Sequence, residues 1–401
     1  FCAVKTLEPQ FYDCDNLIQQ VKNVDLHFGI KKNLLIMDNN ILYSDRFDKT
    51  IDELVDLGFG KYNNKIKKCN YMKYYLKSLK RRIENGQKVS CLLKRIRREL
   101  ISIKYSRISN KDKERLQCIC AKPETLSERE LLLCLKKNDQ YLIDFFERYH
   151  FHMITRYVDF NQGLDARLFS DEKAKKISEV AIKPCRIAFD NISTREDYFT
   201  AMENAVKYGI KYFSNYLLYN YDENPKSLWL RLKLNIDFCK KYKKDGISLF
   251  SFPMKYASIE RTDRSYIGVE WHRKYLRAMN VILNVTSGVV AKEEDFFLRA
   301  YGNTEEEFIE ILTMPDDFIR FRDFFEEKGF TQLWKKYYSM LNKEQKNILI
   351  DILDRVTDEP DILLLHYDML IDKILQFYLM KKKKIEKNEL YYENQLKKLQ
   401  L

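Results

Sequence analysis

Hydrophobic and polar positions along this chain follow two periods. Short, continuously apolar runs end abruptly in polar residues. Asn33 to Met37 runs into Asp38-Asn39-Asn40, and Arg156 to Phe160 runs into Asn161-Gln162-Gly163-Leu164-Asp165-Ala166-Arg167. Arg186 to Phe189 runs into Asp190-Asn191, Tyr212 to Leu218 into Tyr219-Asn220, and Ile247 to Phe252 into Pro253-Met254. Strands buried on both faces look like this where they emerge at the mouth of a parallel sheet. Helical spacing fills the intervals. Leu17, Val21 and Val24 share a face in Asp15 to Val24, and Phe47, Ile51, Leu54 and Val55 do so in Asp45 to Leu57, closed by Gly58. Ser170, Thr194 with Asp197 three residues on, and Asn224-Pro225 predict helix starts, and Gly209 a stop.

Spacing turns this pattern into an architecture. With residues 61 to 152 set aside, the strand ends at 38, 160, 190, 218 and 252 fall 30, 30, 28 and 34 residues apart. A strand, a helix and two loops need about this length, and parallel strands joined by helices cross over right-handed. The prediction is an α/β fold, a partial (β/α)6 TIM-like barrel built from 1–60 and 153–260, its sixth strand expected just before Phe1.

Residues 61–152 read as a helical insertion with helices over Tyr71 to Glu84, Val89 to Tyr105, and Ser127 to Phe146. A Ser127/Glu130 capping box opens the last. Residues 261–401 read as a helical extension: Trp271 to Leu283, Thr304 to Leu312, Asp316 to Glu327, Thr331 to Val356 and Asp361 to Met380. The basic run Lys381 to Lys384 reads as a solvated tail.

Charge singles out the insertion. The chain carries a net +12, yet 61–152 holds 24 Lys+Arg against 10 Asp+Glu, while the remainder holds 47 against 49. Arg81, Arg82, Lys94, Arg95, Arg97 and Arg98 lie near Tyr71, Tyr74, Tyr75 and Tyr105. Cations beside aromatics suit a phosphate backbone with stacked bases, which makes RNA a candidate substrate. The competing reading is a solvated lid whose charge serves solubility.

Nine cysteines without regular spacing read as reduced thiols in a cytoplasmic protein, and no run of 18 apolar residues reads as a membrane span. No hydrolase triad or phosphate-binding glycine loop is legible. The His150/His152 pair reads as incidental. Cys118, Cys120 and Cys134 could hold zinc or an auxiliary cluster, although the leucine-rich surroundings of Cys134 favour a buried thiol.

Phe1-Cys2-Ala3-Val4-Lys5-Thr6-Leu7-Glu8-Pro9 and Asn161-Gln162-Gly163-Leu164-Asp165-Ala166-Arg167, with the strands 34–42, 186–191, 214–220 and 251–256, resemble an uncharacterised branch of the radical S-adenosylmethionine superfamily. The family's loop reads Cys-x3-Cys-x-aromatic-Cys and holds a four-iron, four-sulfur cluster. Cys2 matches its last cysteine. A first residue other than methionine leads us to expect the other two upstream, and a chain beginning at Phe1 to be an inactive fragment.

The resemblance implies a 4Fe-4S cluster and S-adenosylmethionine as cofactors, with an electron donor as partner. The reduced cluster would pass one electron to the sulfonium, releasing methionine and a 5′-deoxyadenosyl radical. It also implies cofactor contacts: Phe1 beside adenine, Asp38, Asn39 and Asn40 at the amine, and Asp190 at the ribose. Asn161, Gln162, Asp165, Arg167 and Asn215 complete the set. At Asp38-Asn39-Asn40 the family carries a Gly-Gly-Glu-like turn, a departure here. Arg167 suits the cofactor carboxylate, or a rim salt bridge with Asp165. The alternative function is a degenerate barrel without a cluster, serving as a nucleic-acid-binding or scaffold module.

Overall fold

The computed structural model describes residues 10, 16–37, 40–68, 71–120, 122–149, 152–258, 265–290 and 293–400. Phe1, Cys2, Asp38 and Asn39, and with them the cluster loop and the strand expected before it, lie outside the described residues. Two compact units divide the chain: 35–52 with 158–401, and 16–34 with 53–157. The C-terminal helices therefore share a unit with the sheet. Residues 16–34 group with the insertion.

In chain order, α1 (Leu17–Phe28), β1 (Asn33–Ile36) and α2 (Phe47–Leu54) come first. A π-turn over Val55–Phe59 follows α2, with Gly58 at φ 79° where a β-carbon would be strained. An antiparallel pair then closes the insertion: β2 (Lys65–Lys68) with β3 (His152–Thr155), Lys65 opposite Thr155. Nothing in the sequence announces this pair, because Lys65-Ile66-Lys67-Lys68 lacks apolar alternation and its partner strand ends the insertion, with Lys65 pairing Thr155 and Lys68 pairing His152.

Between these strands lie α3 (Tyr71–Glu84), α4 (Ser90–Ile101), α5 (Asn110–Cys120), α6 (Glu128–Lys137) and α7 (Asp139–Tyr149). Their core is Met72, Leu76 and Leu79 against Leu93, Ile96, Leu100, Leu131, Leu135, Leu142 and Phe146, spaced three or four apart on each helix. The Ser127/Glu130 capping box is present. The single helix expected over 127–146 is two. Asn138 leaves helical geometry at φ −130° and Asp139 accepts from the Gln140 N–H, a local bond that starts a new helix.

β4 (Tyr157–Phe160) lies beside β1, where the Asn161 N–H donates to the Ile36 carbonyl at 3.1 Å. Parallel bridges Val158–Ile182 and Leu164–Ile187 continue from β4 towards β5 (Cys185–Arg186). Beyond it, β6 (Tyr212–Tyr219) and β7 (Ser248–Lys255) complete a parallel three-stranded sheet in the order β5-β6-β7. The described strands form small sheets and no closed barrel.

The connecting helices are α8 (Asp171–Ile177), α9 (Arg195–Lys207) and α10 (Pro225–Lys241). Ser170 caps α8 and Asn224 caps α10, with proline at the first turn. Thr194 does not form its expected capping box: its hydroxyl donates back to the Asn191 carbonyl at 2.8 Å, because a 3-10 turn over Ile192–Thr194 precedes α9.

The C-terminal helices are α11 (Arg273–Val285), α12 (Glu294–Tyr301), α13 (Glu305–Thr313), α14 (Asp316–Arg320), α15 (Arg322–Glu327), α16 (Phe330–Met340), α17 (Lys343–Arg355), α18 (Met369–Tyr378), α19 (Lys382–Lys387) and α20 (Glu389–Gln400). Trp334, Phe297, Phe308, Phe318, Phe325 and Phe377 fill their core. The helix expected over 331–356 is broken, since Asn342 opens α17 with a capping box to Gln345. Among the described residues no helix is long and apolar enough to cross a membrane.

Candidate functional site

Alternation along β6 and β7 gives the sheet two chemically different faces. Phe213, Asn215, Leu217, Leu249 and Ser251 are buried, whereas Tyr216 and Phe252 are half-buried and Tyr212, Phe250 and Met254 exposed. The buried face packs under α9 and α10. There Tyr198 stacks on Phe189 at 4.2 Å and its hydroxyl donates to Asn235. The Asn235 amide donates to Ser251, and the Asn215 amide to the Tyr198 oxygen at 2.8 Å. Asn215, expected at the cofactor, thus lies in a polar network between sheet and helices, 1% exposed.

The open face carries the ionic chemistry. Arg186 Nε and Nη2 donate to the two oxygens of Asp159 at 2.7 and 2.9 Å, and Nη1 donates to Ser214 Oγ at 2.8 Å. The same guanidinium lies 5.3 Å from the Tyr216 ring centre, which neighbours Phe252 at 6.0 Å. Arg186 and Ser214 are register partners on β5 and β6, and the long Arg186 side chain reaches across to Asp159 of β4, which brings together residues far apart in sequence. None of the three was singled out by the sequence; a charged residue in the runs of β4 and β5 was the available signal for Asp159 and Arg186.

At the strand ends a second cluster surrounds Asp190. Its Oδ1 accepts from the Leu218 N–H at 3.2 Å, while its other oxygen accepts nothing from the described residues. Burial pushes its carboxyl above the ordinary carboxylate value, against the pull of the Leu218 N–H and the nearby Arg231. Arg231, 1% exposed, donates to the Phe189 and Leu218 carbonyls at 2.8 Å each and pairs with Glu223 at 3.1 Å. It fastens β5 to β6 at their C-terminal ends. Glu223 also accepts from the Ile192 N–H and from Ser227, which leaves one cation serving two carboxylates. Arg231 was missed, although a basic residue between Leu228 and Leu232 on the apolar side of a helix marks a buried cation.

A third element latches the loops beyond β6 and β7. Asn220, fully buried at φ 67°, donates to the Tyr256 and Tyr266 carbonyls and accepts from the Gly268 N–H at 2.8 Å. Tyr221, Tyr256 and Tyr266 pack around it, with ring centres 4.6 and 5.0 Å apart.

The remaining expected contacts spread along the turn after β4. Asn161 reaches Met37 Sδ at 3.5 Å, and Gln162 is exposed. Asp165 and Arg167 form the rim pair: Nε and Nη2 of Arg167 meet the two carboxylate oxygens at 2.9 and 2.6 Å. That contact holds Asp165 below the usual carboxylate range. Asn40 caps the 3-10 turn Ile41–Tyr43 through the Leu42 N–H.

In the insertion, Arg81, Lys94, Arg95 and Arg98 are exposed, whereas Arg82 donates to the Lys88 carbonyl and Arg97 to the Leu126 carbonyl. Cys120 is buried, Cys118 exposed, and Cys134 donates its thiol to the Ile119 carbonyl. No group of three or more metal-ligating side chains occurs among the described residues. The chain matches no protein-family model, no curated protein and no solved structure.

Proposed function

We propose that this chain is a radical S-adenosylmethionine enzyme on a partial (β/α)6 barrel, acting on a substrate for which RNA is the class its basic insertion suits. The observation that carries the reading is the parallel sheet β5-β6-β7, with helices on one face, an open face of aromatic side chains around the Asp159–Arg186 pair on the other, and Asp190 at the strand ends. Ligands of open α/β sheets gather at the carboxyl ends of strands.

The described residues suit the nucleoside part of the cofactor. Asp190 has an acceptor oxygen to spare for ribose hydroxyls, and Arg231 holds the backbone beneath it rigid. Arg186 is committed to Asp159 and Ser214, so on the open face it fixes the surface beside Tyr216. Arg167 is committed to Asp165, so a carboxylate would have to share it. Cys2 would supply a cluster thiolate. When bound, the cluster and cofactor supply a one-electron cleavage that yields a carbon radical. The chain's own share is to orient the nucleoside through Asp190 and to exclude water with the Asn220 latch.

Anaerobic reconstitution of the full-length natural protein with iron and sulfide checks this reading. Iron bound by wild type and lost in Cys2→Ala is expected, as is S-adenosylmethionine affinity weakened by about 1.5–3 kcal/mol in Asp190→Ala, the range for hydrogen bonds to a charged group. A wild-type protein that binds no iron overturns it. A second reading, a barrel without a cluster serving as a nucleic-acid-binding module, draws on the exposed cations of α3 and α4.

A further inference from the structure

Exposed cations without an acid partner crowd two helices of the insertion, α3 and α4. Elsewhere some exposed lysines and arginines on helices meet acids: Lys207 with Asp171, Lys226 with Glu306, Lys240 with Glu294, Lys241 with Glu203 and Arg273 with Asp358. Others, such as Lys336, Lys343 and Lys383, have none within ion-pair distance among the described residues. Lys77, Lys80, Arg81, Lys94, Arg95 and Arg98 are all exposed, and the described residues place no carboxylate within ion-pair distance of any of them.

Sequence spacing explains why the cations lie on the exposed side of each helix. Residues 71 to 101 contain ten Lys+Arg and two Asp+Glu. Met72, Leu76 and Leu79 turn one side of α3 into the core, and Leu92, Leu93, Ile96 and Leu100 do the same for α4. The cations take the complementary positions, so each helix of this adjacent pair presents a ridge of like charge. Six unpaired like charges repel one another at a cost to stability that a solubility role does not require.

An aromatic ring stands within the ridge. Tyr74 is 72% exposed, and its neighbours support it: Tyr75 meets it edge-on at 6.5 Å, and Tyr71 stacks on Tyr75 at 5.9 Å. Among the exposed residues of the two helices the sole aliphatic is Ile101, at the last position of α4, so the face lacks the apolar stripe with which a helix enters a lipid surface.

We infer that the exposed face of α3 and α4 is a binding surface for single-stranded RNA, in which Lys77, Lys80, Arg81, Lys94, Arg95 and Arg98 meet phosphates and Tyr74 stacks a base. Unpaired cations release the counterions of a phosphate backbone, and a supported ring provides a platform for any base. Arg82 and Arg97 stay outside the surface because backbone carbonyls hold them. This inference rests on the RNA element of the reading above and is independent of its radical chemistry.

The experiment is fluorescence anisotropy of the full chain with a labelled mixed-sequence RNA strand of about 20 nucleotides. Six phosphate contacts predict a slope of log affinity against log salt of about −4, and a loss of about two orders of magnitude between roughly 50 and 200 mM salt. Replacing all six cations by glutamine removes binding and flattens the slope, while Lys207→Gln, Lys240→Gln and Lys241→Gln together leave it unchanged; circular dichroism confirms that both variants fold. Tyr74→Ala weakens single-stranded RNA about ten-fold and leaves duplex RNA unaffected. Cys2→Ala retains full RNA binding, which separates this surface from the cluster. Undiminished binding by the six-fold variant, tighter binding of single-stranded DNA, or capture by phosphatidylserine vesicles without RNA binding would overturn the inference.

Discussion

Asp159 of β4 and Arg186 of β5 meet fork to fork, with both carboxylate oxygens engaged at 2.7 and 2.9 Å and each side chain less than a fifth exposed. A planar guanidinium matched to a planar carboxylate fixes both side chains. The pair therefore sets the shape of the open face on which any ligand of this sheet would rest.

Removing one partner strands the other. Asp159→Ala should destabilise the chain by about 2–3 kcal/mol, below the ~3–5 kcal/mol of a fully buried pair because some water reaches this one. Arg186→Lys should also lose stability, since an ammonium cannot fork across two oxygens and reach Ser214 as well. Urea unfolding of both variants measures this; an unchanged midpoint for Asp159→Ala would show that the pair contributes nothing.

Asp190 gives a pH signature. Burial raises its folded pKa above the ordinary 3.8, so between those two values the folded chain binds more protons than the unfolded one. Stability linked to this group is greatest below 3.8 and is lost as pH rises through the raised folded pKa. Asp190→Asn has no such titration. The stability of wild type minus that of Asp190→Asn should fall with rising pH across this window and then level off, as read from denaturant midpoints at a series of pH values. A difference that rises with pH contradicts the assignment.

Lys274 is 1% exposed and its ammonium meets Asp316 at 2.6 Å. Burial pulls the Lys274 pKa down while Asp316 opposes it. An ammonium so placed is expensive when left alone, whereas Asp316, about a third exposed and near Arg277 and Lys381, is solvated when Lys274 is gone. Asp316→Ala should cost about 3 kcal/mol, and Lys274→Met less. Thermal melts that rank the two variants in the opposite order would refute this account.

The latch at Asn220 combines conformation with hydrogen bonding. Asn220→Ala loses its bonds to Tyr256, Tyr266 and Gly268 and places an ordinary side chain at φ 67°, for about 3–4 kcal/mol. Asn220→Gly keeps the conformation and should cost less. Gly268→Ala should match the larger loss, because its β-carbon would lie 2.6 Å from the Tyr221 carbonyl oxygen, a backbone atom with little room to move. Hydrogen exchange at 219–222 and 266–268 should accelerate in all three; protection at wild-type levels in Asn220→Ala would remove the latch.

What the sequence by itself determined is what local periodicity and capping encode. The strands beginning at Asn33, Tyr157, Tyr212 and Ser248 stand where continuous apolar runs placed them, and Ser127, Ser170 and Asn224 cap helices as their side-chain chemistry dictates. Exposure of Arg81, Lys94, Arg95 and Arg98 follows from a spacing that leaves them off the apolar face of α3 and α4. Tertiary structure alone decided how distant residues meet. Register between β5 and β6 sets Arg186 beside Ser214, a side-chain reach from β5 joins it to Asp159 of β4, and packing of α10 carries Arg231 to the ends of β5 and β6. Whether Arg167 was spoken for, and which cations had acids in reach, depended on distances of a few ångströms between groups whose sequence separation says nothing about them. Local signals arise from neighbours three or four residues apart, while a site is a convergence of side chains that only the folded backbone brings together.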